Sequence, residues 1–279
     1  MLNYLIVDKI IKNALEEDIT YGDITASSVV SKDSKAKASL IAKEDGIICG
    51  LPVFERVFNL IGEVKFTAFI DEGSNVSNGD IIGEVQGNAL NILMGERVAL
   101  NLLQKMSGIA TLTNKYVSKL EGLNTKILDT RKTTPNLRIL EKYAVKIGDG
   151  NNHRFSLSDG ILIKDNHIGY AGSIKNAIAL AKSNCSFVRK IEVETESKEE
   201  VLEALEAGAD IIMLDNMTPP QAKEMVNLIA GRATTECSGN ITLETVRRYA
   251  LSGVDFISSG ELTHSVKAFD ISLKNFTRI

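Results

Sequence analysis

Cationic side chains are concentrated in one part of the chain, between residues 131 and 164. Arginine guanidinium groups match planar carboxylates with paired hydrogen bonds, and lysine ammonium groups serve as point charges for phosphate oxygens. The whole chain has a formal net charge of −4, so no general basic field draws it to nucleic acid. The cluster predicts a local site for a polyanionic small molecule, formed by Arg131, Lys132, Arg138, His153, Arg154 and Lys164.

Two carboxylates, Glu194 and Asp215, follow neighbouring predicted strands. Mg²⁺ usually takes one or two protein carboxylates and completes its shell with water and substrate phosphates. The pair could therefore hold Mg²⁺ against the pyrophosphate oxygens of a substrate. It could also form ion pairs with Lys132 and Lys164, and the two roles are compatible.

Two serine- and glycine-containing loops follow the last two predicted strands. Loops after the final strands of a barrel often bind phosphate through backbone N–H groups near the start of a helix. Either loop alone could simply make a tight turn between strand and helix. Their occurrence on consecutive final units favours a phosphate site, formed by Ser238, Gly239 and Asn240 in the first loop and Ser258, Ser259 and Gly260 in the second.

A repeating strand–helix pattern from residue 125 onward would position these residues at the carboxyl ends of parallel strands. Strands are predicted at 126–129, 161–164, 190–194, 210–214, 233–236 and 254–258, and helices at 173–182, 197–207, 219–230 and 242–251. Ser197 and Glu200 predict a capping box, and Gly208, Gly231 and Gly253 predict helix ends. The fold class is α/β and a barrel is favoured; fewer than eight strands means an incomplete barrel or strands that the pattern does not reveal.

The residues before this pattern predict a separate α+β domain. An amphipathic helix at 2–15 precedes strands at 36–42, 65–70 and 80–85, and a helix at 95–106 joins the two parts. The predicted domains are 1–107, completed by 266–279 folding back, and a barrel domain at 108–265.

Composition limits the cellular setting. No apolar run approaches the length needed to span a membrane. The cysteines Cys49, Cys185 and Cys237 are far apart and show neither metal-binding nor disulfide spacing, so we expect reduced packing residues in a soluble, cytoplasmic protein.

Several motifs, spread in order over nearly the whole chain, closely resemble those of the quinolinate phosphoribosyltransferases, also called nicotinate-nucleotide pyrophosphorylases (carboxylating). The stretches Thr130-Arg131-Lys132-Thr133 and Lys164-Asp165-Asn166-His167 are specific enough to exclude agreement by chance. The matching stretches are Gly95-Glu96-Arg97, Thr130-Arg131-Lys132-Thr133-Thr134-Pro135, Asn152-His153-Arg154, Leu162-Ile163-Lys164-Asp165-Asn166-His167, Glu192-Val193-Glu194 and Leu214-Asp215-Asn216, with 17–25 near the start.

The resemblance implies an incomplete (β/α) barrel with an N-terminal α+β sandwich domain, in a homodimer or hexamer with shared active sites. It implies decarboxylating transfer from phosphoribosyl pyrophosphate to quinolinate, giving nicotinate mononucleotide for NAD biosynthesis, with Mg²⁺ and no organic cofactor. The implied roles are Arg97 reaching into the neighbouring subunit; Arg131, His153 and Arg154 on the quinolinate carboxylates; Lys132 and Lys164 on phosphates; Glu194 and Asp215 on ribose hydroxyls and Mg²⁺; and Ser238, Gly239, Asn240, Ser259, Gly260 and His264 around the 5′-phosphate.

Two positions depart from the family pattern. Asp149 stands where relatives often have glycine, and we expect its carboxylate to point away from quinolinate. Asn240 also replaces a frequent glycine, and asparagine tolerates the left-handed backbone region.

Two rival functions remain at this point. A paralogue, such as the molybdenum-associated relatives, would lack the basic residues for the carboxylates, which this chain keeps. The second rival is a carrier or binding module, because the hairpin-like stretch 71–80 is similar to the hairpins of biotinyl and lipoyl domains. This stretch has no lysine to carry the modification.

Overall fold

The computed structural model describes residues 2–279. The chain forms two compact units. The first contains the residues up to Asn114 together with Thr133–Asp149 and Leu262–Ile279, and the second contains Lys115–Lys132 and Gly150–Glu261. Residues 133–149, which the predicted bounds place in the barrel domain, thus belong to the first unit.

The strands in chain order are β1 (Lys35–Ala42), β2 (Gly46–Ile47), β3 (Val64–Ala68), β4 (Asn75–Val76), β5 (Ile81–Asn88), β6 (Lys126–Leu128), β7 (Ile161–Ile163), β8 (Ile191–Thr195), β9 (Ile211–Asp215), β10 (Thr234–Ser238), β11 (Phe256–Ser258) and β12 (Ile271–Arg278). The helices are α1 (Tyr4–Asp18), α2 (Ile24–Val29), α3 (Leu51–Ile61), α4 (Ala89–Lys119), α5 (Arg138–Ile147), α6 (Asp165–Ala171), α7 (Ile174–Asn184), α8 (Lys198–Ala207), α9 (Pro219–Ile229), α10 (Val246–Ala250) and α11 (Glu261–His264).

The first unit contains a four-stranded antiparallel sheet in the order β12-β1-β5-β3. Alternate side chains of β1 are buried, from Ala36 to Ala42, as expected for a strand with one face against a core. Strand β12 pairs with β1 from Ala36 opposite Arg278 to Ala42 opposite Ile271. The prediction that the last residues return to the first domain is confirmed.

The second unit contains a six-stranded parallel sheet in the order β6-β11-β10-β9-β8-β7. Every pair of neighbouring strands is parallel, and the strands alternate with helices along the chain. This confirms the α/β class and the six strands predicted from the sequence. Because the strands are parallel, their carboxyl ends lie at one edge of the sheet.

The caps of the barrel helices follow the sequence signals with one difference. Ser197 Oγ accepts a hydrogen bond from the Glu200 N–H (3.2 Å), but the Glu200 carboxylate accepts from the Glu196 N–H (2.7 Å) instead of closing the box on Ser197. Gly208 ends α8 with a φ of 74°. Helix α10 is shorter than the predicted 242–251, because the Thr242 N–H donates to Thr245 Oγ1 (2.9 Å) and forms a turn.

Helix α4 spans 31 residues and extends well beyond the predicted 95–106 in both directions. Gly95 does not mark its start but lies inside it, where an added Cβ would be 2.9 Å from the Phe58 ring and 2.7 Å from Ile61. Gly108 lies where a Cβ would be 2.3 Å from the Lys267 carbonyl oxygen. Both glycines permit close packing. Helices α3 and α5 were not predicted. Among the described residues, no helix combines the length and apolar character needed to cross a bilayer.

Candidate active site

Most of the predicted site residues lie in the second unit, and all of these except His153 and Arg154, which follow the isolated bridge between Leu128 and Asn151, lie at or just after the carboxyl ends of its parallel strands. These are Arg131, Lys132, His153, Arg154, Lys164, Glu194, Asp215, Ser238, Gly239, Asn240, Ser259 and Gly260. Three others, Arg97, Arg138 and His264, belong to the first unit.

Lys164 and Glu194 form a two-pronged ion pair at the ends of β7 and β8. The Lys164 ammonium lies 2.7 Å from Glu194 Oε1 and 3.0 Å from Oε2. The ion-pair role foreseen for Glu194 is therefore present in the structure. It leaves the metal role open, because the carboxylate is still partly exposed, at 17% of its side-chain surface.

Asp215, at the end of the adjacent strand β9, sits in a region of negative charge. Burial, followed by the charges of Glu194 and Glu196, raises the pKa of its carboxyl, while Lys164 and Lys132 act in the opposite direction. A cation bound near Glu194 and Asp215 would relieve this repulsion. The donor set, two carboxylates open to a substrate, is one that suits Mg²⁺.

Arg131 and Arg154 place two guanidinium groups within electrostatic range of each other. Burial and the charge of Arg131 lower the pKa of Arg154, and one Arg154 nitrogen donates to the Gly160 carbonyl (3.3 Å). Two half-buried positive charges held together favour an anion with more than one negative group, because each guanidinium can bind one of its charged groups.

His153 is held on several sides. Its backbone N–H donates to the buried Asp129 carboxylate (2.8 Å). Its Nε2 lies 3.2 Å from Glu192 Oε2 and 3.5 Å from Glu236 Oε2. Burial lowers the pKa of His153, but the hydrogen bonds and charges of the two glutamates outweigh it and raise the pKa to about 10. Nε2 therefore carries a proton at neutral pH.

The first serine–glycine loop is tightly built around Gly239. Its φ is +90°, and an added Cβ would lie 2.3 Å from Asn216 Oδ1 and 2.9 Å from the Asn216 nitrogen. Asn240 has a φ of 53°, so the expectation that asparagine accommodates a left-handed backbone here is confirmed. Its side chain donates to Asn216 Oδ1 (3.3 Å), and Asn216 donates to Asp215 Oδ2 (2.9 Å). The loop is thus connected through Asn216 to the carboxylate of Asp215.

The second loop is anchored through Ser259. Its N–H donates to the Leu128 carbonyl (3.1 Å) and its hydroxyl donates to the Ile241 carbonyl (3.1 Å). These bonds assign Ser259 a part in fixing the loop. The Tyr116 hydroxyl donates to the Glu261 carboxylate at the other end of the loop. Burial, together with Glu261, raises the pKa of Tyr116, so the phenol stays protonated.

The site residues of the first unit are arranged as follows. Arg97 is exposed on α4. Arg138 Nε donates to Thr133 Oγ1 (2.9 Å), and His264 is exposed with Nδ1 2.6 Å from Ser265 Oγ. Asp149 is exposed with a φ of 65°, in the left-handed region that favours glycine. The direction of its carboxylate relative to quinolinate stays a prediction.

Sequence reasoning missed two residues that fix the site. Glu236 is a charged residue inside the otherwise uncharged strand β10, and only 2% of its surface is exposed. A charged residue in the middle of a predicted buried strand is the sequence feature that indicates a structural or functional role for Glu236. Tyr116 gave none, since an aromatic residue on a helix is usually a packing residue and its partner is far away in the sequence.

The six-stranded parallel sheet with its alternating helices defines a protein of the α/β class, with charged residues gathered around the ends of its strands. The family model described as "Quinolinate phosphoribosyl transferase, C-terminal domain" matches residues 109–274, and the model of the N-terminal domain matches residues 23–107. The chain belongs to the quinolinate phosphoribosyltransferase family, as the resemblance of its motifs predicted.

Individual relatives agree over nearly full length. The chain is 45% identical to a protein of Bacillus subtilis named "Probable nicotinate-nucleotide pyrophosphorylase [carboxylating]", covering 98% of this chain and 94% of that protein. A protein of the same name from Methanocaldococcus jannaschii is 46% identical, covering 95% of each chain. The crystal structure of NadC from Streptococcus pyogenes is 47% identical with a TM-score of 0.96, covering 100% of this chain and 99% of that one.

Proposed function

We propose that the protein transfers the phosphoribosyl group of phosphoribosyl pyrophosphate to quinolinate, releasing pyrophosphate and CO₂ and giving nicotinate mononucleotide. The observation that carries this proposal is the pair of guanidinium groups of Arg131 and Arg154, held close enough for one to lower the pKa of the other. Quinolinate presents two adjacent carboxylates, which match such a pair. The names of the relatives from Bacillus subtilis and Methanocaldococcus jannaschii support the same reaction.

The remaining residues suit the other substrate. Lys132 and Lys164 would bind phosphate oxygens, and the loops at Gly239 and Gly260 would receive the 5′-phosphate through backbone N–H groups. Glu194 and Asp215 would bind ribose hydroxyls and hold Mg²⁺, with the raised pKa of Asp215 marking a place that a cation would stabilise. When bound, Mg²⁺ neutralises charge on the departing pyrophosphate.

In the proposed reaction, the pyridine nitrogen of quinolinate forms a bond to the anomeric carbon as the bond from that carbon to pyrophosphate breaks. Positive charge develops on the ribose in the transition state, and the carboxylates of Glu194 and Asp215 stabilise it. The carboxylate next to the quaternised nitrogen then leaves as CO₂. Its bonding electrons stay on the ring carbon beside the positive nitrogen, and that carbon takes up a proton.

The assembly and location are part of the same proposal. A homodimer or hexamer with Arg97 contributed to a neighbouring site follows from the family resemblance and from the exposure of Arg97 on α4. A cytoplasmic location agrees with three free cysteines, of which Cys49 and Cys237 are buried.

The test is turnover by the purified protein with phosphoribosyl pyrophosphate and Mg²⁺, offering quinolinate or nicotinate in parallel. Formation of nicotinate mononucleotide and CO₂ from quinolinate, with nicotinate inert, is expected. Arg131→Lys should raise the KM for quinolinate strongly, because lysine keeps the charge but loses the fork. Turnover of nicotinate in place of quinolinate, or of neither, would overturn the proposal.

A further inference from the structure

A buried cluster of three ionisable side chains lies in the second unit, one layer below the ends of the strands. The side chains of His153, Glu192 and Glu236 expose only 13%, 6% and 3% of their surfaces. Glu192 is on β8 and Glu236 is on β10, with β9 between them. Glu236 pairs in register with Met213, which also pairs with Glu194. Glu194 and Glu236 thus share a row of one sheet face, and Glu192 lies two residues earlier on the same face.

Both glutamates approach the same nitrogen. His153 Nε2 lies 3.2 Å and 3.4 Å from the two oxygens of Glu192 and 3.5 Å from Glu236 Oε2. A buried carboxylate is costly unless a cation or hydrogen-bond donor compensates it. Rotation of the ring would leave two such carboxylates without this donor, so the ring has one strongly favoured orientation.

The other side of the ring is also held. The Arg154 backbone nitrogen lies 2.7 Å from Nδ1, with its N–H directed at the ring. This contact favours a ring with Nδ1 as acceptor, whereas the two glutamates favour the imidazolium. Nε2 carries the proton in both forms. In the form with Nδ1 unprotonated, the ring accepts a hydrogen bond from the Arg154 N–H and so fixes the peptide between His153 and Arg154, from which the Arg154 side chain begins.

The cluster also balances charge at the guanidinium pair. The charge of Arg131 lowers the pKa of Arg154, and the charge of Glu192 acts to raise it. A carboxylate below the pair thus offsets part of the repulsion between the two cations while no substrate is bound. The sequence motifs do not predict that Glu192 or Glu236 would position His153 or offset this repulsion.

We propose that Glu192 and Glu236 form a carboxylate clamp that positions His153, and through it Arg154, for the carboxylates of the acceptor. The inference rests on the proposed function. Neither glutamate touches substrate; both are positioning residues that act through the histidine.

The kinetic test uses Glu236→Gln, which keeps the side-chain shape and removes the charge. The KM for quinolinate should rise on the order of tenfold, the size of one charge-assisted hydrogen bond, with the KM for phosphoribosyl pyrophosphate and kcat changed less than about twofold. Glu224→Gln is the matched control, since Glu224 is an exposed glutamate of the same unit, with 57% of its side chain accessible. It should leave all constants unchanged.

A double-variant cycle tests whether the clamp acts through the histidine. His153→Gln combined with Glu236→Gln should be no worse for quinolinate than His153→Gln alone. The proposal would be overturned if the two substitutions multiplied each other's effect on the KM for quinolinate. It would also be overturned if Glu236→Gln raised the KM values of both substrates equally, or if a folded Glu236→Gln protein had unchanged kinetics. So would a stoichiometric metal ion retained by the wild type and lost in Glu236→Gln, since the cluster would then be a metal centre.

A substrate-free measurement separates this inference from the proposed function. The chain has three histidines, so the ring signals of His153 can be assigned by NMR from their loss in His153→Gln. The Nε2 proton should exchange slowly with water in the wild type and much faster in Glu236→Gln. If the Nε2 proton exchanges slowly in the wild type and fast in Glu236→Gln, but quinolinate is not turned over, the proposed function is wrong and the clamp stands. If quinolinate is turned over and the proton exchanges equally fast in both proteins, the clamp alone is wrong.

Discussion

Replacing Gly239 by alanine should damage the loop after β10 in a way that a matched glycine replacement does not. Gly239 and Gly253 have almost the same backbone conformation, with φ values of +90° and +87°. A Cβ at Gly253 would lie 3.8 Å from the nearest atom, in ordinary contact. A Cβ at Gly239 would lie 2.3 Å from Asn216 Oδ1 and 2.9 Å from the Asn216 nitrogen. Both variants carry the backbone strain, and only one carries the clash.

The magnitudes follow from these two terms. A left-handed backbone costs an alanine roughly 1–2 kcal/mol, which corresponds to a fall in Tm of roughly 2–4 °C per kcal/mol for a chain of this order of size. Overpacking against Asn216 adds about 1–3 kcal/mol in Gly239→Ala. Because Asn216 donates to Asp215 (2.9 Å), its displacement should also raise the KM for phosphoribosyl pyrophosphate by about tenfold or more.

The assay is thermal unfolding of both variants beside steady-state kinetics with each substrate varied in turn. Gly253→Ala should lower the Tm and leave both KM values near those of the wild type. Gly239→Ala should lower the Tm further and raise the KM for phosphoribosyl pyrophosphate. Equal Tm values and equal kinetics for the two variants would refute the idea that the close approach to Asn216 shapes the loop.

Three further outcomes are expected. Tyr116→Phe leaves the half-buried Glu261 carboxylate without its phenolic donor and should cost about 1–3 kcal/mol in urea unfolding, so an unchanged midpoint would contradict the assigned bond. Arg97→Ala mixed with Lys164→Ala should regain part of the lost activity, and mixtures as inactive as the separate variants would argue against shared sites. Arg56 holds the pKa of Asp8 below its ordinary value of 3.8, so the pair stabilises the fold above that pH and loses its effect as pH falls through the lowered pKa. Asp8→Asn should therefore lower Tm at pH 7 and match the wild type in strong acid; a deficit equal at both pH values would exclude this linkage.

The barrel was readable from the sequence because its elements are locally specified. The strands are short and contain β-branched residues, and several of the helices have a cap or a terminal glycine that acts within a few residues, as at Ser197 and Gly208. The strand-end residues could be grouped for the same reason, since parallel strands bring their carboxyl ends to one edge.

The features that could not be read depend on contacts between distant residues. The sequence predicts a shorter α4, whereas Gly95 and Gly108 lie inside the helix and allow the close approach of Phe58 and of the Lys267 carbonyl. Glu236 on β10 lies 3.5 Å from His153 in a loop, although the two residues are far apart in the sequence. No spacing along the chain predicts this contact. Helix α5, which begins at Arg138, has no local start signal, because its N-cap residue is Leu137 and makes no side-chain cap.

The pairing of β12 with β1 has a consequence for synthesis of the protein. The edge of the first sheet formed by Lys35–Ala42 can acquire its partner only after Ile271–Arg278 has left the ribosome. Until then β1 presents unpaired N–H and C=O groups, the kind of edge at which nascent chains associate with one another. The second unit contains none of β12 and can complete its own sheet earlier. A released chain truncated between residues 261 and 271 would therefore contain every strand of the parallel sheet and lack the edge strand of the antiparallel one, and such chains are the ones we expect chaperones to capture.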